Sequence, residues 1–211
     1  MTGAVPPPAI SRGRAALILA LGLTLCGAAV GALWAWLAPP AHGVIALTKS
    51  GERVRAYLGT EADHFFVAAF LMLGMLCVLA VIGSTAAWQW RAHRGPLMLT
   101  ALCVGVGAAA AAAAALGTVL VNARYDAIDL DGAPVSPEHR VHYVAEAPAA
   151  FFGTTPLQIA TTLLVPVATA ALVYAVCAVA AARDDLGGYP PVEGLVLGTP
   201  VGTASVTTDG G

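Results

Sequence analysis

A chain of 211 residues that is 58% hydrophobic and only 10% charged has too few charges to solvate a globule, because soluble domains carry about 25% charged residues. Its formal net charge of -2 leaves no electrostatic footprint for nucleic acid. Apolar runs of roughly 18 residues or more point instead to membrane spans.

Residues 1–14 contain Pro6-Pro7-Pro8 and no apolar period, and are expected to form a disordered cytoplasmic tail. Arg12 and Arg14 precede a first span at about 15–37. That run is longer than the roughly 7–15 residues of a signal-peptide core, and Cys26 follows the bulky Leu25, so an uncleaved span is predicted. Gly27 and Gly31 form a small-xxx-small pair that lets another helix approach closely. Trp34 and Trp36 fall at the far end, where indole rings favour the headgroup level.

Residues 38–64 form the first outer loop. Two strand-like runs, 43–48 and 52–58, flank Lys49-Ser50-Gly51 and predict a hairpin. The second run alternates. Val54, Ala56 and Leu58 share one side, expected to be the covered one, while Arg53, Arg55 and Tyr57 share the other.

A second span covers about 65–90. The basic aromatic knot Trp88-Gln89-Trp90-Arg91-Ala92-His93-Arg94-Gly95-Pro96 then makes a tight inner turn, with Pro96 suited to the first turn of the next helix. The third span, about 97–121, holds an unbroken alanine tract from Ala108 to Ala115. Such a helix packs closely and is expected in the middle of the bundle or at a dimer contact.

The second outer loop is 122–156. There Ala127–Leu130 and Arg140–Val144 suggest a second strand pair. The fourth span, about 157–182, contains Pro166, which removes a helix hydrogen bond. Residues 183–211 are rich in glycine, proline and threonine and are expected to be a disordered cytoplasmic tail.

The ten Lys and Arg residues divide equally between the two sides. Arg12, Arg14, Arg91, Arg94 and Arg183 crowd short juxtamembrane segments, whereas Lys49, Arg53, Arg55, Arg124 and Arg140 are spread over long loops. By the positive-inside rule both termini are expected in the cytoplasm, and the expected location is the plasma membrane.

The two halves also look alike. Glu61-Ala62-Asp63-His64-Phe65-Phe66 precedes the second span, and Glu146-Ala147-Pro148-Ala149-Ala150-Phe151-Phe152 precedes the fourth. Each follows an alternating strand. A parallel duplication is one reading, with the strand pairs merging into a four-stranded sheet over the bundle. A lone hairpin is marginally stable, which favours the merger.

Chemistry-bearing constellations are sparse. Cys26, Cys77, Cys103 and Cys177 all fall in apolar runs and read as small buried hydrophobes rather than a disulfide framework. His42, His64, His139 and His142 lie on the outer side near Asp63, Glu138 and Glu146. A zinc or copper site needs them to converge, and on a strand the spacing of His139 and His142 sends them to opposite faces. The spans carry essentially no ionisable residue, which disfavours a proton-coupled path or a membrane protease. Their threonines and serines are expected to bond their own helix carbonyls. No P-loop, G-x-S-x-G or H-E-x-x-H occurs. On the inner face, Arg91 and Arg94 are expected to pair with Asp184 and Asp185, since acids at a helix C-terminus oppose the dipole and favour a cationic partner.

The Trp88–Pro96 run, Glu61–Phe66, Pro156-Leu157-Gln158-Ile159-Ala160, and Arg183-Asp184-Asp185-Leu186-Gly187 with Tyr189-Pro190-Pro191 resemble a domain-of-unknown-function family. Its members are actinobacterial, chiefly mycobacterial, membrane proteins. The resemblance covers most of residues 12–191. It implies an organism group and a four-span membrane protein, and assigns no activity.

The expected fold is an all-α membrane protein, a four-transmembrane-helix bundle with a small extracytoplasmic β-hairpin cap. The expected role is non-enzymatic: an accessory or scaffold subunit of the cell envelope acting through its outer loops. The alternative is a small oligomeric transporter or channel. No catalytic residue, cofactor or metal is predicted. The expected partners are the lipid bilayer and either a membrane-protein partner or further copies of the chain, with no nucleic acid.

Overall fold

The computed structural model of the chain describes residues 10–125 and 129–181. In chain order these form α1 (Arg12–Leu37), β1 (Ala41–Leu47), β2 (Arg53–Tyr57), α2 (Asp63–Gln89), a single 3-10 turn at Arg91–His93, α3 (Pro96–Arg124), β3 (Val141–Glu146) and α4 (Pro156–Val179). All four helices are long and apolar enough to cross a membrane. One end of the bundle carries the strands; the other carries the Arg91–His93 turn. The tails expected at 1–14 and 183–211 lie outside the described residues, except for 10–14.

Local chemistry sets the helix starts. Ser11 caps α1 by accepting a hydrogen bond from the Arg14 amide at 3.4 Å, so the helix begins at Arg12 and takes in residues assigned above to the tail. Thr155 and Gln158 make a reciprocal capping box at α4, which satisfies two otherwise unpaired amides. α3 opens with Pro96 after Gly95, whose φ of 141° is backbone that favours glycine.

α3 is the most buried helix and forms the middle of the bundle. Its principal neighbour is α1, and the Gly27–Gly31 pair is the seam. A methyl group on Gly27 would overlap the backbone of Ala109, and one on Gly31 the backbone of Ala113. Further along, a methyl on Gly117 would lie 2.8 Å from the Trp34 ring. Trp34 itself is fully buried and donates from Nε1 to the Ala68 carbonyl of α2 at 2.8 Å. It is therefore a core residue, unlike Trp36, which is exposed. A buried indole N–H needs an acceptor, and Ala68 supplies one across the bundle.

The helix hydroxyls satisfy themselves as expected. Thr24 donates to Ala20 O at 2.8 Å and Thr169 to Val165 O at 2.9 Å. Buried Ser84 donates to Ala80 O and lies 3.1 Å from Ala170 O of α4. Pro166 is buried within α4. The four cysteines are free thiols, but Cys26 is exposed and the other three only half-buried. They sit on helix flanks rather than in the core.

The sheet differs from the expected pairing. Among the described residues it has three strands in the order β2-β1-β3, all antiparallel. The Arg140–Val144 run pairs with β1, not with the described residues 129–130. Of the expected partner run 127–130, residues 127 and 128 lie outside the described residues. Asp129 takes the amides of Asp131 and Gly132 on its side chain, both at 3.0 Å. That turn diverts two donors from any strand ladder, while β1 offers an open edge.

The alternation in β2 is real, but the side that shares a face with the buried residues of β1 is the opposite of the one expected; at this edge Arg53 and Arg55 stay exposed and Tyr57 is half-buried. The β1 register aligns Gly43 with Tyr57 and Ile45 with Arg55, and Ile45 and Ala41 are buried. The arginine and tyrosine side therefore faces inward, and Val54 faces out. The reason is a polar cluster across the sheet. Arg55 bonds both Tyr57 and Glu146, Tyr57 Oη donates to Glu146 at 2.9 Å, and the Tyr57 ring meets Phe65 edge-on at 5.5 Å. Arginine and glutamate satisfied in this way are tolerated on a partly covered face.

The two phenylalanine pairs that recur in the sequence meet in space, with Phe66 and Phe152 ring centres 5.5 Å apart.

Candidate functional site

Three constellations stand at the ends of the bundle. The first joins the sheet to α2. Glu61 Oε2 accepts from the His42 amide at 3.0 Å and lies 2.9 Å from His42 Nδ1 and 3.1 Å from His64 Nδ1. His64 Nδ1 is also 2.8 Å from the Pro40 carbonyl. Pro40 leads into β1 and His64 stands in the first turn of α2, so one carboxylate ties strand, linker and helix. The hydrogen bonds from the His42 backbone and ring hold the Glu61 carboxyl below its ordinary range.

Of the outer histidines, the fold brings His42 and His64 together and leaves the others apart. His139 precedes β3 and bonds Ser136 through its amide at 3.1 Å. His142 pairs with Ile45 in the sheet. Among the described residues, no group of three or more His, Cys, Asp and Glu side chains is arranged to hold a metal ion. Glu61 was visible in the sequence only as part of a recurring motif. Its role as the joint depends on a contact with His42 that no local spacing encodes.

The second constellation is the outward face of the sheet. By register, Val44 and Ala46 of β1, Val54 and Ala56 of β2, and Val141 and Tyr143 of β3 share it. Val54, Val141 and Tyr143 are exposed, Tyr143 at 71%.

The third is the arginine-rich turn. The Arg94 guanidinium lies 4.2 Å over the Trp88 ring, and its Nε donates to Trp88 O at 2.7 Å. Trp88 packs edge-on against Tyr174 of α4 at 5.3 Å, and the Gly95 amide donates to Tyr174 Oη at 3.1 Å. Arg91 is exposed in the 3-10 turn. Asp184 and Asp185, the acids expected to meet Arg91 and Arg94, lie outside the described residues. Sequence reasoning had not joined Tyr174 to this turn. A tyrosine in an apolar span was the available signal, since its hydroxyl requires a partner.

A family model described as "Protein of unknown function (DUF2567)" matches residues 23–188. The chain is 53% identical over 174 residues to "Uncharacterized protein Rv1591" of Mycobacterium tuberculosis (strain ATCC 25618 / H37Rv), covering 82% of this chain and 90% of that one. It is 54% identical over 177 residues to "Uncharacterized protein ML1222" of Mycobacterium leprae (strain TN), covering 84% and 89%. No solved structure matches.

Proposed function

The chain belongs to the DUF2567 family of proteins of unknown function, and from that premise we propose a non-enzymatic, multi-pass protein of the plasma membrane with both termini cytoplasmic. It serves as an accessory or scaffold subunit, and the extracytoplasmic sheet is its docking surface for a membrane-protein partner.

The observation that carries this reading is the inverted sheet. Arg55 and Glu146 bond each other on the face that carries buried Ile45, while Val54, Val141 and Tyr143 are presented on the other. An apolar face rimmed by polar groups marks an interaction surface. The alternative, a small oligomeric transporter or channel, has less support. α1 and α3 meet at backbone distance, and the buried hydroxyls of Ser84 and Thr162 bond helix carbonyls, which fills the centre of one copy.

The test is a photo-crosslinking amino acid at position 143 of the full chain, expressed in a mycobacterial membrane. One discrete adduct with another membrane protein is the expected result. Adducts with further copies of this chain alone, or none, would overturn the scaffold reading.

A further inference from the structure

β3 is one edge of the sheet, and half of its backbone groups have no strand beside them. The Leu47 amide donates to Arg140 O at 2.8 Å, where the β1–β3 ladder starts. Bonded and non-bonded pairs alternate along an antiparallel ladder, so Arg140, His142, Val144 and Glu146 turn their amides and carbonyls to β1. Val141, Tyr143 and Ala145 turn theirs away. Among the described residues no backbone carbonyl accepts those three amides, and all three residues are exposed.

An open edge pairs with another chain unless charge, proline or a covering segment blocks it. The other edge, β2, carries Arg53 and Arg55. Two copies joined there about a two-fold axis at Arg55 would set Arg55 against Arg55, which is repulsive. β3 reads Val-His-Tyr-Val-Ala-Glu and holds no lysine, arginine or proline.

The β3 segment is also complementary to itself. Antiparallel pairing of two copies about a two-fold axis at Tyr143 sets Val141 opposite Ala145 and His142 opposite Val144 of the second copy. The next pair is Arg140 opposite Glu146, and symmetry makes it twice. Opposite charges directly across two strands stabilise the pairing. One step of register either way loses both pairs, because Arg140 then faces Val144 or Pro148. At the axis Tyr143, 71% exposed in one copy, meets its equivalent, and facing aromatic rings add to the pairing.

We propose that two copies of this chain join edge to edge at β3, making one six-stranded antiparallel sheet across the dimer. The two-fold axis stands perpendicular to that sheet. The inner face of the sheet is turned to the helix ends: the Tyr57 ring meets Phe65 of α2, and Ile45 and His142 line one cleft with Arg124 and Tyr125 at the end of α3. The axis therefore runs along the bundle, and both copies stand the same way up in one bilayer. Their confinement to that bilayer raises the effective concentration, so a short edge suffices. The outward face stays open to the partner proposed above and is doubled in area.

The test is disulfide cross-linking of the full chain in its membrane, in a background freed of Cys26, Cys77, Cys103 and Cys177, with copper phenanthroline as oxidant. Tyr143→Cys should form a covalent dimer, because bonded partners stand about 5.5 Å apart at Cα, inside the roughly 4.4–6.8 Å a disulfide spans. Val141→Cys alone should stay monomeric, since its two copies are offset by four residues, about 14 Å along the strands. Val141→Cys co-expressed with Ala145→Cys should cross-link. Arg140→Glu should lower the Tyr143→Cys yield about fivefold, because both charge pairs become repulsive.

Tyr143→Pro, added to the 141/145 pair, removes the amide at the axis. A proline whose missing N–H lies on the open edge is compatible with an edge strand, so the cross-link should vanish while the unfolding temperature holds. A monomeric Tyr143→Cys chain, equal yields from Val141→Cys alone and Tyr143→Cys, or a cross-link that survives Tyr143→Pro would overturn the dimer. In the dimer a photo-crosslinker at position 143 gives a self-adduct beside the partner adduct. A partner adduct from a chain that fails the cysteine test removes the dimer and leaves the scaffold reading.

Discussion

At the scale of single residues, Glu61 is the side chain on which most depends. One of its oxygens gathers the His42 amide, the His42 ring and the His64 ring within 3.1 Å. Because those hydrogen bonds favour the ionised form, the carboxyl titrates lower in the folded chain than its ordinary 4.5. The folded state then binds fewer protons than the unfolded one. The stabilisation is complete above pH 4.5 and is lost as pH falls through the lowered value. Glu61→Gln should therefore lower the unfolding temperature of the detergent-solubilised protein at pH 7, and the gap to wild type should close between pH 5 and pH 3. A gap independent of pH would mean that the carboxylate charge contributes nothing. The cluster was only half legible in sequence. The three residues stand out as polar groups at the edge of an apolar run, but their convergence depends on Pro40 and His42 folding back over α2.

Among the elements, the α1–α3 seam decides whether the bundle forms as described. Gly31→Val would drive a branched side chain into the Ala113 backbone. Overpacking of this kind costs about 1–3 kcal/mol, and backbone can yield less than a side chain. Gly74 of α2 is the matched control, because a methyl there meets nothing within 4 Å. Gly74→Ala should stabilise by up to about 1 kcal/mol through helix propensity. Thermal unfolding in one detergent, with opposite signs for the two substitutions, checks the seam. A Gly31→Val midpoint at or above wild type would contradict it. A small-residue stripe tells that a helix is approached closely, not by which neighbour, so the sequence showed the stripe and left α3 undetermined. The sheet was less legible for a related reason. Alternation tells which residues share a face. Only the strand register and the Glu146 contact, 91 positions from Arg55, decide that the arginine side shares the face of buried Ile45.

For the whole molecule, four apolar runs were enough to fix the helix count, because length and hydropathy are local properties. Their joint consequence is parity. In the proposed topology of four crossings, both termini and the Arg91–His93 turn share one side of the membrane, and the sheet lies on the other. In the proposed orientation that side is cytoplasmic, because the arginines crowd at the turn end. Single cysteines placed in a background freed of Cys26, Cys77, Cys103 and Cys177 make this measurable with a membrane-impermeant maleimide on intact cells. Lys49→Cys, in the hairpin turn, should label from outside. Ala92→Cys, in the 3-10 turn, should label only after permeabilisation. The reverse pattern would invert the orientation and put the sheet in the cytoplasm, where the proposed partner surface would meet a different set of proteins. Labelling of both positions from one side would break the four-crossing arrangement itself, since α2 alone separates them and a 27-residue helix at 1.5 Å per residue is long enough to cross the roughly 30 Å hydrocarbon core.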